Sequence, residues 1–315
     1  MGLAIVLTLG LAGCGSKSSG STAGSGKSAG KSGTQYDLGE VIYDQEDVKI
    51  TANHLIDENG RYSLELEVEN NTEETIGFNQ TSFVVNGFVL EEPSNYMTSD
   101  SIEIMLSSFR DSEDVEDIIQ DFFNTIPAGE TQKVPFISYL SDTQQEYIGT
   151  VQQIEMSVAV AKFTDMEDLE TLGAEEMPES GLITLKTKEF DGELKLPEVE
   201  GTEIYNDNDI RLVVSDITYD DTLENLSIGI YAENNSGKTI SLYLNDMSLN
   251  DFVTECYLNL PMELANGYKA AGELESMEEL DIKSVDDVNN VEMSIVIKDI
   301  DTYDTIDTAT YTYEK

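Results

Sequence analysis

Leu64, Leu66 and Val68 alternate with Glu65, Glu67 and Glu69. A period of two sends one set into a core and the other into water, so this stretch predicts a half-buried antiparallel strand. Asp57-Glu58-Asn59-Gly60 precedes it as a turn. Val85-Asn86-Gly87-Phe88 predicts a hairpin, because Asn-Gly accepts the positive φ of a type I′ turn. Further strands are predicted over 132–139, 153–161 and 181–187, then over 210–215, 226–233, 240–245, 253–258, 291–298 and 308–313. Short strands parted by turn residues predict a mainly β chain built as antiparallel sandwiches.

The pattern runs twice. Ile42-Tyr43 with Asp47-Val48-Lys49-Ile50 matches Ile204-Tyr205 with Asp209-Ile210-Arg211-Leu212, 162 positions later. Glu69-Asn70-Asn71 and Thr75-Ile76 match Glu233-Asn234-Asn235 and Thr239-Ile240 at a spacing of 164. Val85-Asn86-Gly87-Phe88-Val89 matches Leu249-Asn250-Asp251-Phe252-Val253 at the same spacing. Ile154-Glu155-Met156-Ser157-Val158 matches Val291-Glu292-Met293-Ser294-Ile295 at 137. Matches in order, with steady spacing, mark a duplicated unit.

The fall in spacing places an insertion of 27 residues in the first copy, and segment 101–126 fits it. There Val115, Ile118, Ile119, Phe122, Phe123 and Ile126 recur at helical spacing, with Ser112 as the cap and Glu113, Asp114 and Glu116 in the first turn. The expected domains are 36–197, with this helical insertion, and 198–315. Segment 188–201, with Pro197 and a run of carboxylates, is the expected boundary.

The chain begins with an apolar run over 3–14. About a dozen residues fall short of the roughly 20 that span a bilayer, so the run reads as a signal-peptide core. It ends in Leu11-Ala12-Gly13-Cys14, which resembles the lipobox of bacterial lipoproteins. That resemblance implies removal of the residues ahead of Cys14, acylation of Cys14, and a membrane-anchored protein at the extracytoplasmic face. Residues 15–35 are rich in Gly, Ser and Lys and form the expected flexible tether. Such a coil spans roughly 25 Å r.m.s.. The chain has 2 Cys. With Cys14 carrying lipid, no internal disulfide is expected, and Cys256 reads as a small buried hydrophobe.

Taken with the repeats, these features resemble lipoproteins of Gram-positive bacteria that carry tandem immunoglobulin-like domains. The resemblance rests on the lipobox, the Gly/Ser/Lys tether, the Ile-Tyr strand, the Glu-Asn-Asn turn and the Asn-centred hairpin. It implies a fold and a location, and it carries over no functional residues. The chain has 0 Trp. Without Trp or a disulfide pair it lacks the core pin of antibody domains, so any likeness is of architecture only.

Charge narrows the partners. There are 63 acidic and 17 basic residues, for a formal charge of −46. Phosphate contacts need a basic face, which excludes nucleic acid as the expected partner. A cationic partner or divalent ions are favoured.

Motifs for catalysis are thin. The one histidine, His54, comes without a Gly-x-Ser-x-Gly element, so neither a triad nor a zinc site is expected. With 63 acids any carboxylate pair can be drawn, so such pairs carry little weight for a hydrolase. The sharper metal candidate is calcium on Asp44, Glu46 and Asp47 and, in the second copy, Asp207 and Asp209, beside Asn206. Asp299, Asp301, Asp304 and Asp307 form another acidic run. No EF-hand spacing is present, and Asx-rich turns explain the same residues without metal. The chain has 15 Tyr, Tyr303, Tyr311 and Tyr313 among them; exposed tyrosines suit contact surfaces, and cross-strand packing is the alternative. Asn70, Asn79, Asn225 and Asn234 each open a glycosylation triplet and are read as turn residues. The expected function is a non-catalytic, surface-anchored protein that binds a protein, peptide or glycan or assists a surface complex. The alternatives are a structural or wall-associated spacer and, behind it, a hydrolase.

Overall fold

The first half opens with a meander: β1 (Thr34–Gln45), β2 (Val48–Glu58) and β3 (Arg61–Asn70). These are followed by β4 (Thr75–Val85), β5 (Phe88–Glu91), β6 (Asn124–Ile126) and β7 (Thr131–Tyr139). A short helix, α1 (Asp142–Ile148), leads to β8 (Gln153–Thr164), β9 (Gly173–Glu176) and β10 (Ile183–Lys186). The second half comprises β11 (Thr202–Asp207), β12 (Ile210–Asp220), β13 (Asn225–Asn234), β14 (Ile240–Leu249) and β15 (Phe252–Val253). It ends with β16 (Cys256–Asn259), β17 (Lys269–Ser276), β18 (Asn290–Asp299) and β19 (Thr305–Glu314). This computed structural model describes residues 33–58, 60–91, 124–164, 173–220, 225–276 and 282–315. Cys14 and the tether up to residue 32 lie outside the described residues.

Each half is two facing sheets. In the first, β1-β2-β3-β7 covers β10-β8-β4-β5; in the second, β11-β12-β13-β17 covers β19-β18-β14-β15. Alternation explains the packing. Leu64, Leu66 and Val68 of β3 point inward against Ile76, Phe78 and Phe83 of β4, while Glu65 and Glu67 face outward. Fully burying one such side chain contributes roughly 1.5–3 kcal/mol.

The halves repeat in register as well as in sequence. The β4–β8 ladder slips between Gln80 and Ser82, and the β14–β18 ladder slips between Leu244 and Asp246, the positions 164 later. Ile76 pairs with Ile126 as Ile240 bridges Leu264, so the spacing has already fallen to 138 at that point. The extra residues of the first copy therefore precede Ile126.

The two sandwiches share a sheet. β5 runs parallel to β17 through the pair Phe88–Lys269, and the Lys269 N–H donates to the Gly87 carbonyl at 2.8 Å. This contact fuses one sheet from each half into a continuous 11-stranded sheet. The core of the first half lies on one face of it and reaches across to Val213, Tyr231 and Ala271. The core of the second half lies on the other face and takes in Val84 and Val89. The described residues form one compact unit.

Three expectations change. The sandwich architecture stands, but the immunoglobulin-like qualifier finds no support in the strand order. An immunoglobulin constant domain splits its second and third strands between sheets, whereas here β3 stays paired with β2. In segment 101–126, residues 101–123 lie outside the described residues, and Asn124–Ile126 is a strand rather than a helix end. Ile126 is buried because backbone pairing to Ile76 carries it into the core; one apolar residue that fits a helical stripe fits a strand equally well. The expected strand 253–258 is two strands in different sheets, β15 on β14 and β16 on β17.

Candidate functional site

Ser141-Asp142-Thr143-Gln144 nucleates α1. The Ser141 hydroxyl accepts from the Gln144 N–H at 3.2 Å, and the Gln144 carboxamide oxygen accepts from the Ser141 N–H at 3.0 Å. This reciprocal box satisfies donors that a helix start leaves open. The helix buries Thr143, Tyr147 and Ile148. Tyr147 stacks edge-on with Tyr231 at 5.5 Å, and Tyr231 meets Phe88 in the same manner at 6.1 Å. The Tyr147 hydroxyl donates to the Glu200 carbonyl at 3.0 Å. Burial, with the charges of Glu146, Asp216 and Glu200, holds the Tyr147 phenol above its ordinary pKa, while a hydrogen bond with Ser215 pulls it down.

Close approach requires Gly229 on β13. A Cβ there would collide with the Ser215 hydroxyl and come within 3.0 Å of the Thr143 hydroxyl. The first-half helix thus sits directly over the second-half sheet. Between them opens a cleft of about 500 Å³, within the range of small-molecule and peptide sites.

Five carboxylates line this cleft: Asp142 and Glu146 from α1, Asp216 from β12, and Glu273 and Glu275 from β17. Asp142 and Glu146 are one helical turn apart and share a face. Hydroxyls from Thr143, Ser215, Thr218 and Ser227 fill the spaces between. Among the described residues, no lysine, arginine or histidine lines the cleft. Glu273 is anchored by α1, accepting from the Thr143 hydroxyl at 3.1 Å and from its N–H at 3.4 Å. Glu275 accepts from the Asn225 side chain at 3.4 Å. The carboxylates can accept hydrogen bonds from cationic side chains, and the hydroxyls can donate or accept beside them.

The residues singled out in the sequence sit elsewhere. Asp44, Glu46 and Asp47 lie at the β1–β2 turn, and Asp207 and Asp209 at the β11–β12 turn, so the structure keeps the two sets in separate hairpins. Glu46, Asp47, Asn208 and Asp209 adopt positive φ there, which accounts for Asp47, Asn208 and Asp209 at these places. Glu46 also pairs with Lys162 at 3.0 Å. Among the described residues, no group of three or more His, Cys, Asp or Glu is arranged to hold a metal ion. Asp299 is nearly buried, accepts from the Asp301 and Thr302 N–H groups and pairs with Lys238 at 2.6 Å. His54 lies half-exposed on β2, 3.9 Å from Glu65. Cys256 opens β16 and is half-buried. Among the described residues, no helix is long and apolar enough to cross a membrane.

Sequence reasoning missed the cleft. Its carboxylates come from three separated segments, and among 63 acids none stands out. One signal was readable: Ser141-x-x-Gln144 announces α1. No protein-family model matches the chain, and no curated protein matches it.

Proposed function

We propose that the chain is a non-catalytic lipoprotein, held by acyl chains on Cys14 at the extracytoplasmic face of a cell membrane, that binds a lysine- or arginine-rich segment of a protein or peptide. The cleft between α1 and the β12-β13-β17 sheet carries this reading, because it gathers five carboxylates with no lining cation among the described residues. Its size suits a few side chains of an extended chain. The charge of −46 steers cationic partners toward it and disfavours anionic glycans. The lipobox residues and the Gly/Ser/Lys tether support the location.

Calorimetric titration of hexalysine into the soluble body is the test. Saturable one-to-one binding is expected, weakened about tenfold when Glu146→Gln and Asp216→Asn are combined, the loss of two partly exposed ion pairs. No binding, or binding indifferent to these changes, contradicts the proposal. The continuous sheet favours a second reading, a rigid spacer, and that result would support it. Cys14→Ala in the native host is expected to release the protein from the membrane fraction.

A further inference from the structure

The repeat supplies a built-in comparison for its own joint. Phe88 and Val89 are among the residues that the first copy presents to the second, beside Val84 and Tyr147, and they are 1% and 5% exposed. Their counterparts, Phe252 and Val253 on β15, are 73% and 88% exposed. Both pairs follow the same turn: Asn86 and Gly87 have φ of 52° and 84°, and Asn250 and Asp251 have 51° and 67°. The segment that takes the place of α1, the short helical turn Val285–Asp287, also presents an exposed apolar residue, Val285. The second copy therefore repeats the edge hairpin of the first seat, although Ser248 and Ser284 stand where that seat has Val84 and Tyr147; among the described residues β15 is paired on one side, to β14.

The occupant follows from what fills the first seat. There the partner is a β-sandwich face with Tyr231 at its centre and Val213 and Ala271 around it. A second copy of this chain has no such face to offer. At the corresponding places its first half carries Glu67, Thr51 and Lys133, and that face is ion-paired, Lys133 to Glu65 at 2.8 Å and Lys49 to Glu69 at 2.7 Å. Two bodies of this charge also repel each other.

We infer that the β15 edge, with Phe252, Val253 and Val285, is the docking surface for a further β-sandwich module on a partner protein, one whose edge strand is flanked by an aromatic and small apolar side chains. Docking adds the partner's strand to the sheet edge, as β17 adds to β5, and the side chains beside it give specificity. The neighbouring Asp251, Glu255 and Asp286 favour a basic rim on that partner.

The chain has 0 Trp, so Val253→Trp gives a single reporter. The defined probe is the chain itself, extended after Lys315 by a second copy of residues 188–315, which supplies a Tyr231-type face. In the extended chain the Val253→Trp emission is expected to shift to the blue, and exchange of the 252–253 amides to slow about tenfold or more relative to the unextended chain. Tyr231→Glu, made in the appended copy alone, is expected to abolish both effects. Unchanged emission and exchange in the extended chain overturn the inference. The unextended chain is expected to sediment as a monomer at high concentration; a dimer lost on Val253→Asp would overturn the assigned partner in favour of a second copy. Hexalysine binding by Val253→Asp is expected to match the parent, which separates this surface from the cleft.

Discussion

Asn70 and Asn234, 164 positions apart, are both fully buried and do the same work in the two copies. The Asn70 side chain donates to the carbonyls of Glu74, Ile126 and Pro127 and accepts from the Thr72 N–H and hydroxyl. Asn234 donates to the carbonyls of Lys238 and Leu264 and accepts from the Ser236 N–H and hydroxyl. Each clamps the end of a strand to the crossing that leads into the opposite sheet. Asn70→Ala or Asn234→Ala leaves several buried backbone groups without partners and is expected to cost about 3 kcal/mol. Asn250→Ala is expected to cost about 1 kcal/mol, because its side chain lies nearer water. Urea unfolding of the three variants checks the order.

Gln80 is a departure from the repeat with a measurable consequence. It is 9% exposed, and among the described residues both polar atoms of its carboxamide lack a hydrogen-bond partner. Its counterpart 164 positions later is Leu244, packed against the second core. Gln80→Leu removes two unsatisfied groups and is expected to stabilise the protein by about 1–3 kcal/mol. A lowered urea midpoint would contradict this account of the position.

The two phenylalanines of the paired hairpins give a third comparison. Phe88→Ala empties a packed site between β5 and Tyr231 and is expected to cost about 3–5 kcal/mol. Phe252→Ala, at an exposed position, is expected to change stability by less than about 0.5 kcal/mol. Equal effects at the two sites would contradict the role given to the β5–β17 joint.

Asp299 gives the pH dependence a sign. The hydrogen bond from Lys238 and the backbone N–H groups hold its carboxyl below the usual carboxylate range. A carboxylate depressed in the folded state stabilises above its unfolded pKa, near 4. That contribution is lost as pH falls through the lower, folded pKa. Asp299→Asn is therefore expected to be less stable than the parent at neutral pH, with the difference closing below about pH 4. Melting temperatures of both proteins from pH 7 to 3 check it; a gap that widens toward acid would contradict it.

Much of the fold was legible from local rules. The Leu64/Glu65 alternation became β3 with its polar face outward, and Asn86-Gly87 became the β4–β5 turn with both residues at positive φ. The matched spacings became matched ladders. The four triplet asparagines all fall within strands: Asn79 inside β4, Asn225 at the start of β13, and Asn70 and Asn234 as the last residues of β3 and β13, where their side chains bond to the residues that follow. Non-local features were hidden. Nothing in a period-two pattern says that Tyr231 will meet both Phe88 and Tyr147 from the other half. The seven residues of α1 are too few to show a helical stripe. The cleft depends on both, since it exists only where α1 is laid over Gly229.

Binding heat alone does not distinguish a seated ligand from a polycation spread over an acidic surface; a residue-level map does. The decisive measurement is the change in backbone amide NMR shifts as hexalysine is added to the soluble body. The expected changes centre on Thr143, Glu146, Asp216, Ser227, Gly229 and Glu273, saturating together with one dissociation constant. Changes scattered over the acidic surface, with the cleft no more affected than the rest, would contradict the cleft as the binding site.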